Sequence, residues 1–140
     1  MNEYGYVKVG ASTLELKVSD TIYNVQMIKK QIDEAVNKNI QIISFPELSI
    51  TGYTCGDLFN QDILIDKSYE GLKDLVDYSK DKMIVIIVGS PIKCENKLYN
   101  CAVVINNGQI LGIVPKTYIP NYNEFYEKRH FTEGCAEVEW

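Results

Sequence analysis

Histidine and tryptophan each occur once in this sequence of 140 residues, and cysteine and proline only four times each. The cysteines, Cys55, Cys94, Cys101 and Cys135, form no CxxC pair, and His130 is the one histidine that could join them. A zinc site or a disulfide framework therefore has little to build on, and no metal is expected. The longest uninterrupted apolar run is Met83 to Val88, far short of the roughly 20 residues needed to cross a bilayer. Positive charge is also in deficit: 14 Lys and Arg face 19 Asp and Glu, a net charge of −5. That sign disfavours phosphate backbones and anionic lipid, so neither nucleic acid nor a membrane is an expected partner. Met1-Asn2-Glu3-Tyr4 has neither the basic residues nor the apolar stretch of a secretory signal, which points to the cytoplasm and reduced thiols.

What is present suits one globular domain. Apolar residues make up 46% of the chain and charged residues 24%. A chain of this length buries roughly two-thirds of the surface it exposes when unfolded, enough for a core without staples. Gly5 to Ala11 alternates loosely, with Val7, Val9 and Ala11 on one side, and reads as a first strand. From Ile22 onward, Val25, Ile28, Ile32, Ala35 and Val36 recur every three or four positions, behind Ser19 or Asp20 as N-cap. This predicts an amphipathic helix ending near 37–39. Ile40 to Phe45, closed by Pro46, is a β-branched run suited to a strand covered by helices on both faces.

A turn-rich loop, Ser49 to Asn60, leads to a second helical pattern carried by Ile63, Ile65, Leu72, Leu75, Val76 and Tyr78. Met83 to Val88 is a further buried strand. Leu98 to Ile105 and Gln109 to Val114 flank Asn106-Asn107-Gly108, a hairpin signal because Asn-Gly accepts the positive φ of a tight turn. The order predicts an α/β fold in which helices cover a mixed sheet. After Lys116 the sequence turns polar and aromatic with no strand pattern, so the expectation is a chain that stops mid-domain, leaving an exposed edge near Met83 to Val88.

Two charged residues stand where such sheets place their chemistry, at the carboxyl ends of strands. Glu47 follows Ile40 to Phe45 and Pro46; Lys116 follows Gln109 to Val114 and Pro115. A surface salt bridge is the ordinary reading of such a pair. The neighbouring Ile43, Phe45, Ile113 and Val114 favour desolvated groups fit for proton transfer and anion stabilisation. Glu124, eight residues beyond Lys116, is a third charged candidate, or else a surface carboxylate.

Phe45-Pro46-Glu47-Leu48-Ser49 and Pro115-Lys116-Thr117 resemble the glutamate and lysine motifs of the nitrilase, or carbon-nitrogen hydrolase, superfamily. Thr51-Gly52-Tyr53-Thr54-Cys55-Gly56-Asp57-Leu58-Phe59 and the stretch from Ile119 to Arg129 resemble the glutaminase domains of its glutamine-dependent NAD synthetase branch. The resemblance runs from about Tyr6 to about Arg129. It implies a nitrilase-like α-β-β-α sandwich, truncated before the full domain is complete, with residues 1–140 as its N-terminal portion and a synthetase domain absent. It also implies hydrolysis of glutamine through a Glu-Lys-Cys triad. Glu47 would be the base, Lys116 would stabilise the oxyanion, Glu124 would be the supporting glutamate, and Tyr53 and Tyr122 would line the glutamine pocket. ATP and magnesium would belong to the absent synthetase domain, with no cofactor in this chain, and a homo-oligomer is expected.

The resemblance places the nucleophilic cysteine well downstream of the lysine, beyond these residues, which leaves the chain alone inactive. Cys135 follows no hydrophobic strand, Cys55 matches a non-nucleophilic position, and a Cys55–His130 dyad has only residue types in its favour. Cys94 and Cys101, both on strand patterns, read as buried inert thiols. Two other readings stay open. One is a different carbon-nitrogen hydrolase, an amidase or carbamoylase. The other is a non-catalytic association module, to which ten tyrosines lend support.

Overall fold

The computed structural model describes residues 4–134, so Cys135 lies outside the described residues. Its elements run β1 (Val9–Ala11), α1 (Thr21–Asn37), β2 (Ile42–Ser44), a 3-10 turn (Gly56–Asn60), α2 (Asp62–Tyr78), β3 (Val85–Cys94), β4 (Lys97–Asn106), β5 (Gln109–Pro115) and a second 3-10 turn (Glu127–Arg129). The five strands form one sheet in sequence order. β1, β2 and β3 are parallel, joined through the helices; β3, β4 and β5 form an antiparallel meander.

Helix α1 starts where Asp20 accepts a hydrogen bond from Tyr23 N at 3.0 Å. It ends in a Schellman motif: Asn39 takes the left-handed conformation at φ 56°, its N–H donates to Val36 O, and Ile40 N donates to Ala35 O. Val25, Ile28, Ile32 and Ala35 of α1, with Leu72 and Leu75 of α2, pack on Ile43, Ile86, Val88, Cys101, Val103 and Ile105 of the sheet. Ile22, Val36 and Ile63, counted in the helical patterns, are exposed on the outer sides of their helices.

Both helices cover the same face. Across the sheet, Ser44, Ile87, Val104 and Gly112 form one row of the other face, and Gly89, Ala102 and Val114 the next. No described helix packs there, so β2 is not covered on both sides as its sequence suggested. The described residues thus supply one helical layer and one sheet of the expected four-layer sandwich. The Met83 to Val88 run also lies elsewhere than expected: β3 is the central strand, paired on both sides, and the edges are β1 and β5. Met83 itself precedes β3 and is 92% exposed. At the β1 edge the predicted Gly5 to Ala11 strand shrinks to three residues, and Val7 and Val9 face solvent because the strand has a neighbour on one side only.

A tight turn that the sequence pattern did not announce joins β3 to β4. Cys94 pairs with Lys97, and Glu95 and Asn96 both take positive φ, 48° and 62°. The predicted Asn107-Gly108 turn between β4 and β5 is present, with φ 44° and 77°. A smaller second core, Leu48, Cys55, Phe59, Leu64, Ile119 and Phe131, gathers the loops beyond the carboxyl end of β2.

Candidate active site

Glu47 sits on a strained turn pressed onto β3. Phe45 N still donates to Ile87 O as a continuation of the sheet, then Leu48 turns the chain at φ 50°. Ile50 N donates back to Gly89 O at 3.2 Å, and Gly89 N donates to Ser49 Oγ at 3.2 Å. The turn lies so close to Gly89 that an added Cβ there would stand 2.2 Å from Leu48 N and 2.8 Å from Pro46 O. Only glycine leaves room for the segment that carries Glu47.

Lys116 is fixed at the end of β5 by its backbone: its N donates to Asn100 O at 2.8 Å and its O accepts from Gly134 N at 2.9 Å. Its ammonium reaches Glu47 Oε1 at 2.7 Å, and Glu127 Oε1 and Oε2 at 3.1 and 3.2 Å. Tyr53 OH donates to Glu127 Oε1 at 2.6 Å, and Asn100 Nδ2 donates to Glu47 Oε1. Five side chains from distant parts of the sequence therefore form one connected group, Tyr53–Glu127–Lys116–Glu47–Asn100.

The electrostatics of this group favour a charged lysine. Burial alone would lower the Lys116 pKa, but the hydrogen bonds and charges of Glu47 and Glu127 outweigh it and hold the ammonium above its ordinary value. Tyr53 is pushed well above the usual phenol range, first by burial and then by its bond to the Glu127 carboxylate. The Glu47–Lys116 pair is less dry than its neighbours implied, with 41% of the Glu47 side chain exposed. Ile43 and Ile113 pack toward the helices, whereas the pair lies on the other side of the sheet. There it borders a hollow of about 320 Å³ lined by Ser44, Ile87, Gly89, Ala102 and Val114.

Sequence reasoning took Glu47 and Lys116 as parts of one site, which the structure brings together, and put Tyr53 on the wall of the glutamine pocket; here Tyr53 reaches Lys116 through Glu127. It passed over Glu127 and Asn100, the most buried polar members of the group. Glu127 lies inside a motif already noted, and nothing in a single sequence separates it from Glu124. In the structure Glu127 is the carboxylate on Lys116; Glu124 is exposed and borders a second cavity of about 250 Å³ with Tyr53, Tyr126, Glu127 and His130. Tyr122 is not drawn in: its ring meets Phe125 edge-on at 5.6 Å and is otherwise in solvent.

The cysteines are set apart from the group. Cys55 Sγ donates to Thr51 O and Gly52 O, and burial pushes its thiol up against the opposing pull of the Ser19 backbone and the Thr51 side chain. His130 instead lies against the Phe59 ring, so the structure shows no Cys55–His130 dyad. Cys101 points into the helical core, where burial pushes its pKa up to about 12. Cys94 is only partly buried, because it ends β3 at the hairpin turn. Among the described residues, no three His, Cys, Asp or Glu side chains are grouped to hold a metal. No helix there is long and apolar enough to cross a membrane.

A model of the carbon-nitrogen hydrolase family matches residues 8–139. The chain belongs to that family. It is 37% identical over 135 residues to the glutamine-dependent NAD(+) synthetase of Mycobacterium tuberculosis, a match covering 96% of this chain and 20% of the relative. It is 34% identical over 126 residues to the human glutamine-dependent NAD(+) synthetase, covering 90% of this chain and 18% of the relative. The chain thus spans about a fifth of the length of these curated relatives. The crystal structure of a glutamine-dependent NAD(+) synthetase from Cytophaga hutchinsonii superposes with a TM-score of 0.88 at 30% identity, over 94% of this chain and 22% of that one. An amidase from Nesterenkonia sp. shares the family's fold, with a TM-score of 0.82 at 17% identity over 96% of this chain and 51% of the amidase.

Proposed function

We propose that this chain carries the base and the oxyanion-stabilising cation of a glutaminase whose ammonia serves an NAD synthetase. The observation that carries the reading is the Lys116 ammonium held between the carboxylates of Glu47 and Glu127, where the segments that follow β2 and β5 meet across the sheet. A lysine kept protonated in this way stabilises a developing negative charge and does not act as a base. Glu47, partly exposed beside the hollow, is the group free to take a proton. The nucleophile is a cysteine supplied by the full-length protein from outside residues 4–134. Its thiol gives a proton to Glu47, the thiolate attacks the glutamine amide carbon, and the oxyanion that forms faces Lys116. The proton then passes to the departing ammonia, and water hydrolyses the thioester.

Tyr53 and Glu124 border the adjoining cavity, which suits them to contact substrate. Tyr122 is proposed to complete that wall from its solvent-exposed position. In the whole protein the ammonia amidates deamido-NAD. ATP and magnesium act in the synthetase portion; the described part of this chain offers neither an acidic metal cluster nor, in its sequence, a Gly-rich phosphate loop. A homo-oligomer in the cytoplasm completes the proposal.

The test uses the full-length protein with glutamine or ammonium as nitrogen source. Glu47→Gln and Lys116→Ala are each expected to lower glutamine-driven synthesis by about 10²-fold or more, while ammonia-driven synthesis stays near wild type. Equal loss with both nitrogen sources would overturn the assignment. Faster hydrolysis of simple aliphatic amides than of glutamine would overturn the substrate.

A further inference from the structure

Glu47 presents two carboxylate oxygens, and the described residues occupy one. Lys116 Nζ and Asn100 Nδ2 both donate to Oε1, and Oε2 has no hydrogen-bond partner among the described residues. Asn100 lies on β4 and is 3% exposed. Its backbone oxygen also receives Lys116 N at 2.8 Å. One buried residue therefore sets the place of the cation through its main chain and the orientation of the carboxylate through its side chain.

An oxygen that already accepts two donors, one of them an ammonium, has its lone pairs engaged. The other oxygen keeps its lone pairs for an incoming proton. We propose that Asn100 is a positioning residue that reserves Oε2 of Glu47 as the proton-accepting atom. This rests on the assignment of Glu47 as base. In the step concerned the S–H bond breaks, the proton binds Oε2, and the electron pair stays on sulfur to attack the amide carbon. The same proton leaves Oε2 for the amide nitrogen as the C–N bond breaks. A carboxamide suits the position because it donates without bringing charge; an aspartate would set a second carboxylate against Glu47. The other charged and titratable groups near Glu47 are Lys116 after β5, Glu127 on the second 3-10 turn and Tyr53 ahead of the first.

The experiment measures kcat and KM for glutamine hydrolysis against pH in the full-length protein, for wild type, Glu47→Gln, Asn100→Ala and Asn100→Asp. Asp nearly matches Asn in shape, so it separates loss of the donor from loss of packing, and it decides the matter if the alanine variant folds poorly. Asn100→Ala is expected to lower kcat about 10- to 100-fold with KM within about twofold, from the loss of a hydrogen bond to a charged group. The acid limb of its pH profile should move to higher pH, because a donor favouring the charged carboxylate is gone. Asn100→Asp should lose more. Wild-type kcat and acid limb in both variants, beside an inactive Glu47→Gln, would overturn the role of Asn100 and leave the base assignment standing. A lowered kcat with an unmoved acid limb would reduce Asn100 to a structural residue and overturn it too. An active Glu47→Gln would remove the base assignment and this inference together.

Discussion

At the scale of single residues, the group depends on how a buried carboxylate is satisfied. Glu127 is 6% exposed, and both Lys116 and Tyr53 donate to its carboxylate. A buried charge with too few partners is costly, so removal of the Tyr53 hydroxyl should be felt at Glu127 and Lys116 beyond it. The raised Tyr53 pKa gives this a sign. Since the folded value lies above the ordinary 10.0, any stability tied to the protonated phenol is fully present below pH 10 and declines as pH rises beyond it. In a tyrosinate absorbance titration of the folded protein, Tyr53→Phe should therefore remove amplitude only well above pH 10. Loss of amplitude at or below that pH would mean that the Tyr53–Glu127 bond does not form in solution. Tyr53 was legible in the sequence through its motif. Glu127 was not, because the feature that marks it, burial among the side chains of the second core, exists only after the chain has folded.

Among the elements, local patterns were readable and long-range pairing was not. Helix α1 could be read almost to its ends, since Asp20 and the spacing from Val25 to Ala35 are local signals. The Asn107-Gly108 turn was readable for the same reason. The Glu95-Asn96 turn was missed because glutamate at positive φ is disfavoured, and only the nine-pair register between β3 and β4 imposes it. Gly89 was missed likewise: within β3 it reads as a weak spot, yet it is the floor on which the Glu47 turn rests. Gly89→Ala puts a methyl against three backbone atoms, of Pro46, Glu47 and Leu48, which no side-chain rotation relieves. The expected result is a loss of about 1–3 kcal/mol or more in stability. Glutamine hydrolysis should fall further than the folded fraction, because the turn itself must move. A thermal midpoint and glutamine turnover at wild-type levels would show that the turn does not pack on β3 as described.

For the molecule as a whole, what matters is the sheet face opposite the helices. It carries Ile87, Ala102, Val104 and Val114, the last 60% exposed, and the Glu47–Lys116 pair stands at its rim. An apolar face with a polar group at one end is poorly suited to water, and in the proposed mechanism it is the side from which substrate and nucleophile approach the pair. None of the described cysteines does so: Cys101 points to the helices, Cys55 is tied to Thr51 and Gly52, and Cys94 ends a strand at a hairpin. The 140-residue chain expressed alone is therefore expected to hydrolyse no glutamine above background, while the full-length protein does. Sedimentation should find it associating with rising concentration, and Val104→Lys with Val114→Lys should lessen that association. Turnover by the isolated chain would place a working nucleophile within these residues and overturn the division of the triad. A closed dimer of fixed mass, unaffected by either lysine, would favour the association-module reading, because a bare sheet face left by itself should aggregate without a defined end point.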